Sequence, residues 1–459
     1  MKPNNNIDTD SMVGLSPHLK LARSIFSELI NINTTQNNGS TKAAEAMHER
    51  LKQAGFPESD MHLTGPKPQN MNLVVRYPGT GKLRPVLFIV HMDVVEAIRS
   101  DWSFDPFNFT EKDGYFYGRG ACDIKNEAAD IIANLIRLKA EGFMPERDII
   151  VALTEHEESG DANGVKWILE NRPDLIEAEF AINLDAGGGS IVDDRPQLLE
   201  IQTGEKTFAN FKLEAHNKGG HSSLPVKDNA IYRLAAALTR LAKFDFPIQL
   251  NDTTRMFFQR ALETETEGIK EDIEAILKTP LDSQAAERLA ELNPYYNAVM
   301  RTTCVATLLN GGHADNALPQ TAAANINCRM LPGDTPEDVL KTLKSVVSDP
   351  MVEITCTYTA VSSPISAIRE DLMAIAEQIA SSMWPGVKVT PFISTGATDG
   401  KHLRNAGIPV YGVSGMFLDM KDMRAHGKDE RIGVKEFYDG VGFMYQFVKA
   451  ISRKAEDIN

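Results

Sequence analysis

Short apolar runs alternate with stretches of helical periodicity along the first 200 residues of the chain. Apolar positions recur at helical spacing over residues 19–54, and the polar segment 31–40 divides this stretch into two predicted helices. Predicted strands and helices then alternate: strands at 72–77, 85–90, 148–153 and 180–184, and helices at 126–140 and 164–170. This alternation predicts an α/β domain with a mostly parallel sheet and flanking helices. Ligands of such sheets lie beyond the carboxyl ends of the strands.

The pattern changes near residue 205, where the predicted elements follow the order β-α-β-β-α-β of a ferredoxin-like α+β unit. Its predicted strands begin near residue 207 and span 302–309, 322–330 and 352–359, and its helices span 229–241 and 335–347. A helical insertion is predicted at 252–294. The α/β pattern then resumes with a helix at 372–382, strands at 387–393 and 409–413, and a helix at 434–452. The sequence therefore predicts an α/β domain in two segments, 1–204 and 363–459, interrupted by a separate α+β domain, 205–362.

Composition and charge exclude some partners. The chain has 48 Lys and Arg against 63 Asp and Glu, a formal net charge of -15, which disfavours nucleic acid and anionic membranes. No apolar run approaches the roughly 18 residues of a membrane span, and the first residues do not resemble a signal peptide. We therefore expect a cytoplasmic protein, or a periplasmic or secreted one if a signal peptide has been removed. The four scattered cysteines predict reduced, mostly buried thiols.

Residues able to bind a metal follow one predicted strand after another. Each residue alone has an ordinary interpretation, such as a surface histidine, a helix-capping aspartate or a charged turn. Their recurrence at successive strand ends is much less likely to arise by chance than any single one of them. In addition, the acids of segment 155–158 would repel one another without cations or a shared proton. The residues in question are His91 and Asp93, Asp123, Glu155, Glu157 and Glu158, and Asp185.

The types of these residues indicate which metal would bind. Histidine and carboxylate ligands without cysteine suit zinc, with cobalt or manganese as possible substitutes. One bridging carboxylate can hold two such ions roughly 3.5 Å apart. A further ligand must come from elsewhere in the chain, and the loop 424–430 supplies His426.

In these motifs the chain resembles the co-catalytic zinc peptidase family that includes carboxypeptidase G, aminoacylase, succinyl-diaminopimelate desuccinylase and carboxypeptidase S. The resemblance extends over nearly the whole chain, and the helical insertion makes the carboxypeptidase S branch look most similar. It implies a zinc-exopeptidase-like fold, in which segments 1–204 and 363–459 form the catalytic domain and 205–362 forms a lid or dimerisation domain. The motifs, in family order, are His91-Met-Asp93, Gly118-Arg-Gly-Ala-Cys-Asp123, Glu157-Glu158, Asp185-Ala-Gly-Gly and Ala425-His-Gly.

The resemblance implies two zinc ions per subunit and a role for each motif residue. Asp123 would bridge the ions, and His91 and Asp185 would complete one site. Glu158 and His426 would complete the other. The two remaining residues would act on the ligands or the substrate: Asp93 by orienting His91, and Glu157 as the general base on a zinc-bridging water.

The small domain also matches the family. By resemblance, His221 would reach the active site of a partner subunit and stabilise the oxyanion, which implies a homodimer. Asn316 and Arg329 would hold the substrate carboxylate. Gly396, in a loop of small residues, would lie over the substrate.

Together these features predict a two-zinc metallo-exopeptidase, of carboxypeptidase or dipeptidase type, that hydrolyses an amide bond next to a free carboxylate. An N-acyl-amino-acid amidohydrolase is the alternative, because peptides and N-acyl amino acids share the bond and the carboxylate. A two-metal phosphoesterase would need a cationic clamp, and only Arg119 and Lys125 lie beside a ligand motif. A catalytically silent metal-binding protein is the remaining alternative, although no ligand or base is missing.

Overall fold

The computed structural model describes residues 14–160, 162–193 and 195–453. The chain forms two compact units. Unit 1 takes its residues from Met1–Thr203, Ser366–Pro391 and Thr398–Asn459, and unit 2 from Gly204–Ile365 and Phe392–Ala397. Residues 1–13, the first part of the segment on which the prediction about a signal peptide depends, lie outside the described residues. None of the described helices combines the length and the apolar character needed to cross a membrane.

The described chain begins with the elements of unit 1. They are α1 (Pro17–Asn31), α2 (Thr41–Gln53), β1 (Met61–Lys67), β2 (Asn70–Tyr77), β3 (Val86–His91), β4 (Thr110–Lys112), β5 (Tyr115–Tyr117), α3 (Lys125–Ala140), β6 (Ile149–Thr154), α4 (Gly164–Asn171), β7 (Phe180–Asn183), β8 (Gly188–Val192) and β9 (Arg195–Glu205).

The elements of unit 2 follow. They are β10 (Thr207–His216), β11 (Gly220–His221), α5 (Ala230–Leu241), α6 (Asp252–Ala261), α7 (Glu267–Leu277), α8 (Ser283–Leu292), α9 (Pro294–Met300), β12 (Thr303–Gly311), β13 (Ala317–Leu318), β14 (Thr321–Met330), α10 (Pro336–Val347) and β15 (Val352–Thr359). The chain ends with α11 (Glu370–Met383), β16 (Lys388–Ser394), α12 (Gly400–Asn405), β17 (Val410–Gly412), β18 (Phe417–Asp419), β19 (Arg431–Gly433) and α13 (Val434–Ile451).

The large sheet is mixed, with parallel strands at its centre. Its strand order is β1-β2-β6-β3-β7-β17-β9-β8-β18, and a further strand, β16, also pairs with β9. The pairs β6-β3, β3-β7 and β7-β17 are parallel, which confirms the predicted mostly parallel α/β fold. The pairs of β1 with β2, β2 with β6 and β9 with β8 are antiparallel. The strands β1, β8 and β9 were not predicted, because their sequences do not form continuous apolar runs.

The central strands are apolar on both faces because helices cover both sides of the sheet. Every residue of β3 is buried. Phe88 packs in the hydrophobic cluster that contains residues of α1, α3 and α13, whereas its neighbour Ile89 packs in the cluster that contains residues of α4 and α12. This burial on two faces explains why the sequence of a central parallel strand is a run of apolar residues without alternation.

Unit 2 contains the predicted α+β arrangement. Its four-stranded antiparallel sheet has the order β12-β14-β10-β15. Along β10 the buried residues alternate with more exposed ones, and the buried residues share a hydrophobic cluster with residues of α5 and α10. The helical insertion forms α6 to α9, which have an apolar cluster of their own. The structure also adds a two-stranded ribbon of β11 and β13.

The cysteine prediction is wrong. Cys304 and Cys328 form a disulfide bond, and the Cys356 thiol is exposed. The physical reason is strand register, since the antiparallel pairing of β12 with β14 places the two residues opposite each other with their Cα atoms 4.1 Å apart. A spacing of 24 residues in the sequence does not reveal that register.

Lys206 is a buried amine whose partners are uncharged. Its Nζ donates hydrogen bonds to the carbonyl oxygens of Ala298 and Arg301, each at 2.8 Å. Burial, and secondarily the charge of Arg329, lowers the pKa of Lys206 to about 7. The ammonium form is therefore disfavoured in the folded chain relative to water.

This shift predicts a pH dependence of stability. Between pH 7 and about 10 the unfolded chain holds a proton on Lys206 that the folded chain has lost, so its contribution to the free energy of unfolding rises with pH. We expect Lys206→Met to lack this rise. Its stability deficit against wild type, measured by urea unfolding, should therefore be smallest at pH 6.5 and largest at pH 9.5. The exposed Lys341→Met is the control, and a deficit that is equal at every pH would contradict the prediction.

Candidate active site

Three neighbouring strand ends build the base of the site. Strands β6, β3 and β7 are parallel, with His91 opposite Thr154 and Ile89 opposite Asn183. Because parallel strands end at the same edge of a sheet, the residues that follow them meet there. His91, the acids after Thr154 and Asp185 are therefore brought together from three parts of the sequence.

His91 is the buried centre of this cluster, with 2% of its surface exposed. Its Nε2 lies 3.3 Å from Asp123 Oδ1 and 3.7 Å from Asp185 Oδ1. Its other ring nitrogen, Nδ1, lies 3.0 Å from the backbone oxygen of Asp93 and 3.6 Å from Asp93 Oδ1. The structure thus leaves Nε2 facing two carboxylates while Nδ1 faces Asp93.

Asp123 lies between two histidines. Its Oδ1 faces His91, and its Oδ2 lies 3.1 Å from His426 Nε2. The same nitrogen of His426 lies 2.8 Å from Glu158 Oε1. One carboxylate that faces two separate ligand groups is the geometry expected of a bridging ligand.

The His426 loop reaches this position through local strand pairing. Strand β19 pairs with β5, with Arg431 opposite Tyr117, so the chain just before β19 lies beside the loop that carries Asp123. The backbone N–H of Gly118 donates to the carbonyl oxygen of Glu430 at 3.1 Å. His426 itself has a positive φ of 61°.

Asp93 holds the paired acids in place. Its carboxylate oxygens accept hydrogen bonds from the backbone N–H groups of Glu157 at 3.2 Å and Glu158 at 3.1 Å. Burial raises the pKa of Asp93 to about 6, against the opposing effect of His91. Asp93 therefore contacts both the histidine and the acid pair, and of these only the contact with the histidine was predicted from the sequence.

The pKa shifts show how much negative charge is gathered here. Burial and the charge of Asp185 raise the pKa of Glu157 well above its usual value, and burial raises that of Asp185 to about 6. Burial favours a higher pKa for Asp123 as well, but hydrogen bonds from His426 and His91 outweigh it and hold the pKa of this carboxyl group below its usual range. Hydrogen bonds to Asp123 and Glu158 in turn raise the pKa of His426 to about 10. Without added cations, protons compensate the carboxylates.

The donor set fits metal ions. Two groups have donor atoms that all lie within 4.8 Å of one another, namely His91 with Glu157 and Asp185, and His91 with Asp123 and Glu158. The donors are imidazole nitrogens and carboxylate oxygens without a thiolate, which suits zinc, cobalt or manganese. The five predicted ligands therefore gather in one place, and their assignment to particular ions stays a prediction.

Two of the predicted residues of unit 2 are brought together by the β11–β13 ribbon. His221 pairs with Ala317, and the backbone N–H of Ser222 donates to the carbonyl oxygen of Asn316 at 3.0 Å. His221 is exposed, and its Nδ1 accepts a hydrogen bond from the backbone N–H of Ser223 at 3.1 Å. Its Nε2 is thus directed away from that turn, and the role of His221 across a dimer stays a prediction.

Arg329 and Gly396 also lie in unit 2. Arg329 is on β14, and its Nη1 donates to the carbonyl oxygen of Thr395, a residue that precedes Gly396 in the chain, at 3.5 Å. The backbone N–H of Gly396 donates to Ser394 Oγ at 3.1 Å. The structure therefore places Arg329 beside the loop of small residues, and the substrate-binding roles of both residues stay predictions.

Sequence reasoning missed Glu430, which is fully buried beneath the Asp123 loop. Its Oε1 accepts the backbone N–H groups of Cys122 at 2.8 Å and Asp123 at 2.9 Å. Its Oε2 accepts Nη1 of Arg119 at 2.6 Å. The signal in the sequence was the acid pair that follows His426, but its target could not be read without the β19–β5 pairing.

Fold and site together define the class of the protein. An α/β sheet whose strand ends gather histidine and carboxylate donors, interrupted by an α+β unit, is the architecture of a metallopeptidase or amidohydrolase, and this protein is such an enzyme. The chain belongs to peptidase family M20/M25/M40, whose family model matches residues 87–450. This match confirms the family that the motifs indicated.

Individual relatives agree with this membership. The human N-fatty-acyl-amino acid synthase/hydrolase PM20D1 is 30% identical over 389 residues, which cover 82% of this chain and 76% of that protein. The probable carboxypeptidase S-like 2 of Dictyostelium discoideum is 29% identical over 412 residues, 88% of this chain and 78% of that one. The M20 family metallo-carboxypeptidase Sso-CP2 from Sulfolobus solfataricus shares the fold, with a TM-score of 0.65, 18% identity and coverage of 95% and 100%.

The position of Glu430 predicts an effect on metal affinity. We expect Glu430→Gln to weaken metal binding by about 10-fold to 100-fold, because Glu430 fixes the loop of the predicted ligand Asp123 and outer partners of this kind contribute that much. Competition with a chromophoric chelator would measure the affinity. Asp422→Asn is the matched control, since Asp422 is in the same loop region but pairs with Arg424 and Arg431 instead. Equal affinities of the Gln variant and wild type would contradict the prediction.

Proposed function

We propose that this protein is a two-metal exopeptidase of carboxypeptidase or dipeptidase type that hydrolyses an amide bond next to a free carboxylate. The cluster of His91, Asp123, Glu158, Asp185 and His426 around the bridging position of Asp123 is the observation that carries this proposal. We propose zinc as the metal, with Asp123 shared between two ions, because the donors are histidine and carboxylate.

Bound ions of this kind would act as Lewis acids on the scissile carbonyl and would make a water molecule acidic enough to attack at neutral pH. Glu157 would take the proton of the attacking water. Its carboxyl group belongs to one of the two donor groups with His91 and Asp185, and its backbone is fixed by Asp93. The same carboxyl group would then protonate the departing amine, as a general acid.

Arg329 would bind the carboxylate that identifies the substrate. A guanidinium can donate two parallel hydrogen bonds to a carboxylate, which an ammonium group cannot do with the same geometry. Asn316 and Gly396 would add polar and backbone contacts, and His221 would stabilise the oxyanion. Peptides and N-acyl amino acids both carry the required amide and carboxylate.

The names of the relatives support both substrate classes. The human relative is named for N-fatty-acyl-amino acids and the Dictyostelium relative for a carboxypeptidase. An N-acyl-amino-acid amidohydrolase therefore stands beside the exopeptidase as the second candidate. The two differ only in what lies on the acyl side of the scissile bond.

A phosphoesterase fits the structure less well. Arg119, one of the two cations considered above as a clamp, is buried and bound to Glu430. Lys125, the other, is buried and donates to the carbonyl oxygen of Ile32 at 2.7 Å. Both cations are engaged inside the protein, so neither is free to clamp a substrate phosphate.

Substitution of the base tests the mechanism. We expect Glu157→Gln to lower kcat by about 100-fold to 10,000-fold, which is the range that a general base contributes, with KM little changed. Dipeptides and N-acyl amino acids, each as the free acid and as the amide, would be assayed by mass spectrometry after metal loading. Chelator should abolish turnover, and zinc should restore it.

The exposed Glu177→Gln is the control for the loss of one carboxylate. Hydrolysis that survives both Glu157→Gln and chelator would contradict the mechanism. Metal binding without hydrolysis of any compound would instead favour the catalytically silent alternative.

We also propose that the protein forms a homodimer through unit 2. Strand β12 is an edge strand of its sheet, and its side chains Leu308 and Leu309 are 70% and 72% exposed. Ile231 and Tyr232, on α5, are exposed apolar residues as well. An exposed apolar edge of this kind is a favourable template for pairing with a second chain.

The dimer predicts a change in mass after one substitution. We expect wild type to sediment as a dimer and Leu309→Asp as a monomer, because a buried, unpaired carboxylate is costly at an interface. Analytical ultracentrifugation at micromolar concentration would measure this. Met351→Asp, an equally radical change at an exposed site just before β15, should remain dimeric. A monomeric wild type would contradict the proposal.

A further inference from the structure

Arg329 lies at one end of a stack of aromatic rings. Strands β10 and β14 place Phe208 directly opposite Arg329. The guanidinium carbon of Arg329 lies 4.9 Å from the centroid of the Phe208 ring. Tyr358, from β15, stacks on the same ring at 5.3 Å with 25° between the ring planes. Cation and rings thus follow one another across three neighbouring strands.

Arg329 has an unusual set of partners for a half-buried cation. Its Nη1 donates to the carbonyl oxygen of Thr395. Within residues 14–160, 162–193 and 195–453, no carboxylate forms an ion pair with it. Burial lowers the pKa of Arg329, which is the effect expected of a cation without a nearby acid. The remaining donors of this guanidinium are therefore available to an anion from outside the chain.

The ring of Phe208 decides where that anion can bind. A guanidinium is planar, and its N–H donors point outward in the plane. The guanidinium carbon lies over the Phe208 ring, and the carbonyl oxygen of Thr395 engages Nη1. What remains is in-plane donation from another edge, the geometry that matches the two oxygens of a carboxylate.

We propose that Phe208 is a positioning residue that fixes the Arg329 guanidinium by cation–π stacking and so sets the preference for substrates with a free carboxylate. This proposal rests on the proposed function, in which Arg329 receives the substrate carboxylate. Phe208 acts through Arg329 and not on the reacting atoms. Its effect should therefore appear in substrate binding and leave the chemical step unchanged.

The electrostatic origin of the contact separates this role from simple packing. A cation is attracted to the negative face of an aromatic ring, and Trp, Tyr and Phe all provide such a face. Leucine fills comparable apolar space without one. A series of Leu, Tyr and Trp at position 208 therefore varies the stacking while an apolar group remains in place.

The experiment compares matched acid and amide substrates. Purified metal-loaded wild type, Phe208→Leu, Phe208→Tyr and Phe208→Trp would be assayed on one hydrolysed compound as the free acid and as its C-terminal amide. We expect Phe208→Leu to raise KM for the acid by about 2-fold to 30-fold, the range of one cation–π contact, with kcat and the KM for the amide unchanged. The Tyr and Trp variants should keep the KM of wild type.

Phe244→Leu is the matched control. Phe244 also lies in unit 2 and packs partly buried against its core and against the ring of Phe246, but among the described residues no cation lies over its ring. The same substitution there should leave both KM values unchanged. Arg329→Lys should lose the preference for the acid in the same way as Phe208→Leu or more strongly.

The outcomes distinguish this inference from the proposed function. If wild type prefers the acid and Arg329→Lys loses that preference, but Phe208→Leu behaves as wild type, the positioning role is overturned alone. The same holds if Phe208→Leu raises KM equally for acid and amide, or if Tyr and Trp fail as Leu does. A wild type that treats acid and amide alike overturns both proposals.

Discussion

The constraint on which the site depends is the common ending of three parallel strands. Because β6, β3 and β7 are in register, each side chain that follows them is delivered to one edge of the sheet. Acids from separate stretches of sequence then lie close together, where their negative charges repel one another. Burial makes the ionised form of each carboxyl group still less favourable. This edge of the sheet therefore concentrates negative charge that cations must balance. The imidazoles of His91 and His426 lie there, one beside each carboxylate oxygen of Asp123.

Two more carboxylates hold this arrangement from behind. Asp93 accepts the backbone N–H groups of the acid pair, and Glu430 accepts those of Cys122 and Asp123. Acids can lie so near to other acids because their immediate partners are peptide N–H dipoles, and in the case of Glu430 also a guanidinium. These loops are thereby fixed through their backbone, which leaves the side chains of the proposed ligands free to bind a metal ion.

The sequence predicted the centre of the structure better than its margins. His91, Asp123 and Asp185 could be found because each follows a local pattern, an apolar run or a glycine turn, that can be read without knowledge of partners. Glu430 could not be assigned to the Asp123 loop, because that contact depends on pairing between strands more than 300 residues apart. The Cys304–Cys328 bond and the antiparallel strands at the sheet margins depend in the same way on register, which composition and periodicity do not specify.

The return of residues Phe392–Ala397 to unit 2 has a consequence for how such enzymes diversify. The proposed metal ligands and the proposed base Glu157 are encoded outside Gly204–Ile365, so an exchange of that single stretch between relatives would leave these residues in place. Thr395, whose carbonyl oxygen accepts a hydrogen bond from Arg329, is however encoded downstream of that stretch. A transplanted stretch would bring Arg329 but not the carbonyl oxygen that accepts its hydrogen bond, which the recipient chain would supply. The surroundings of this arginine would therefore come from both relatives.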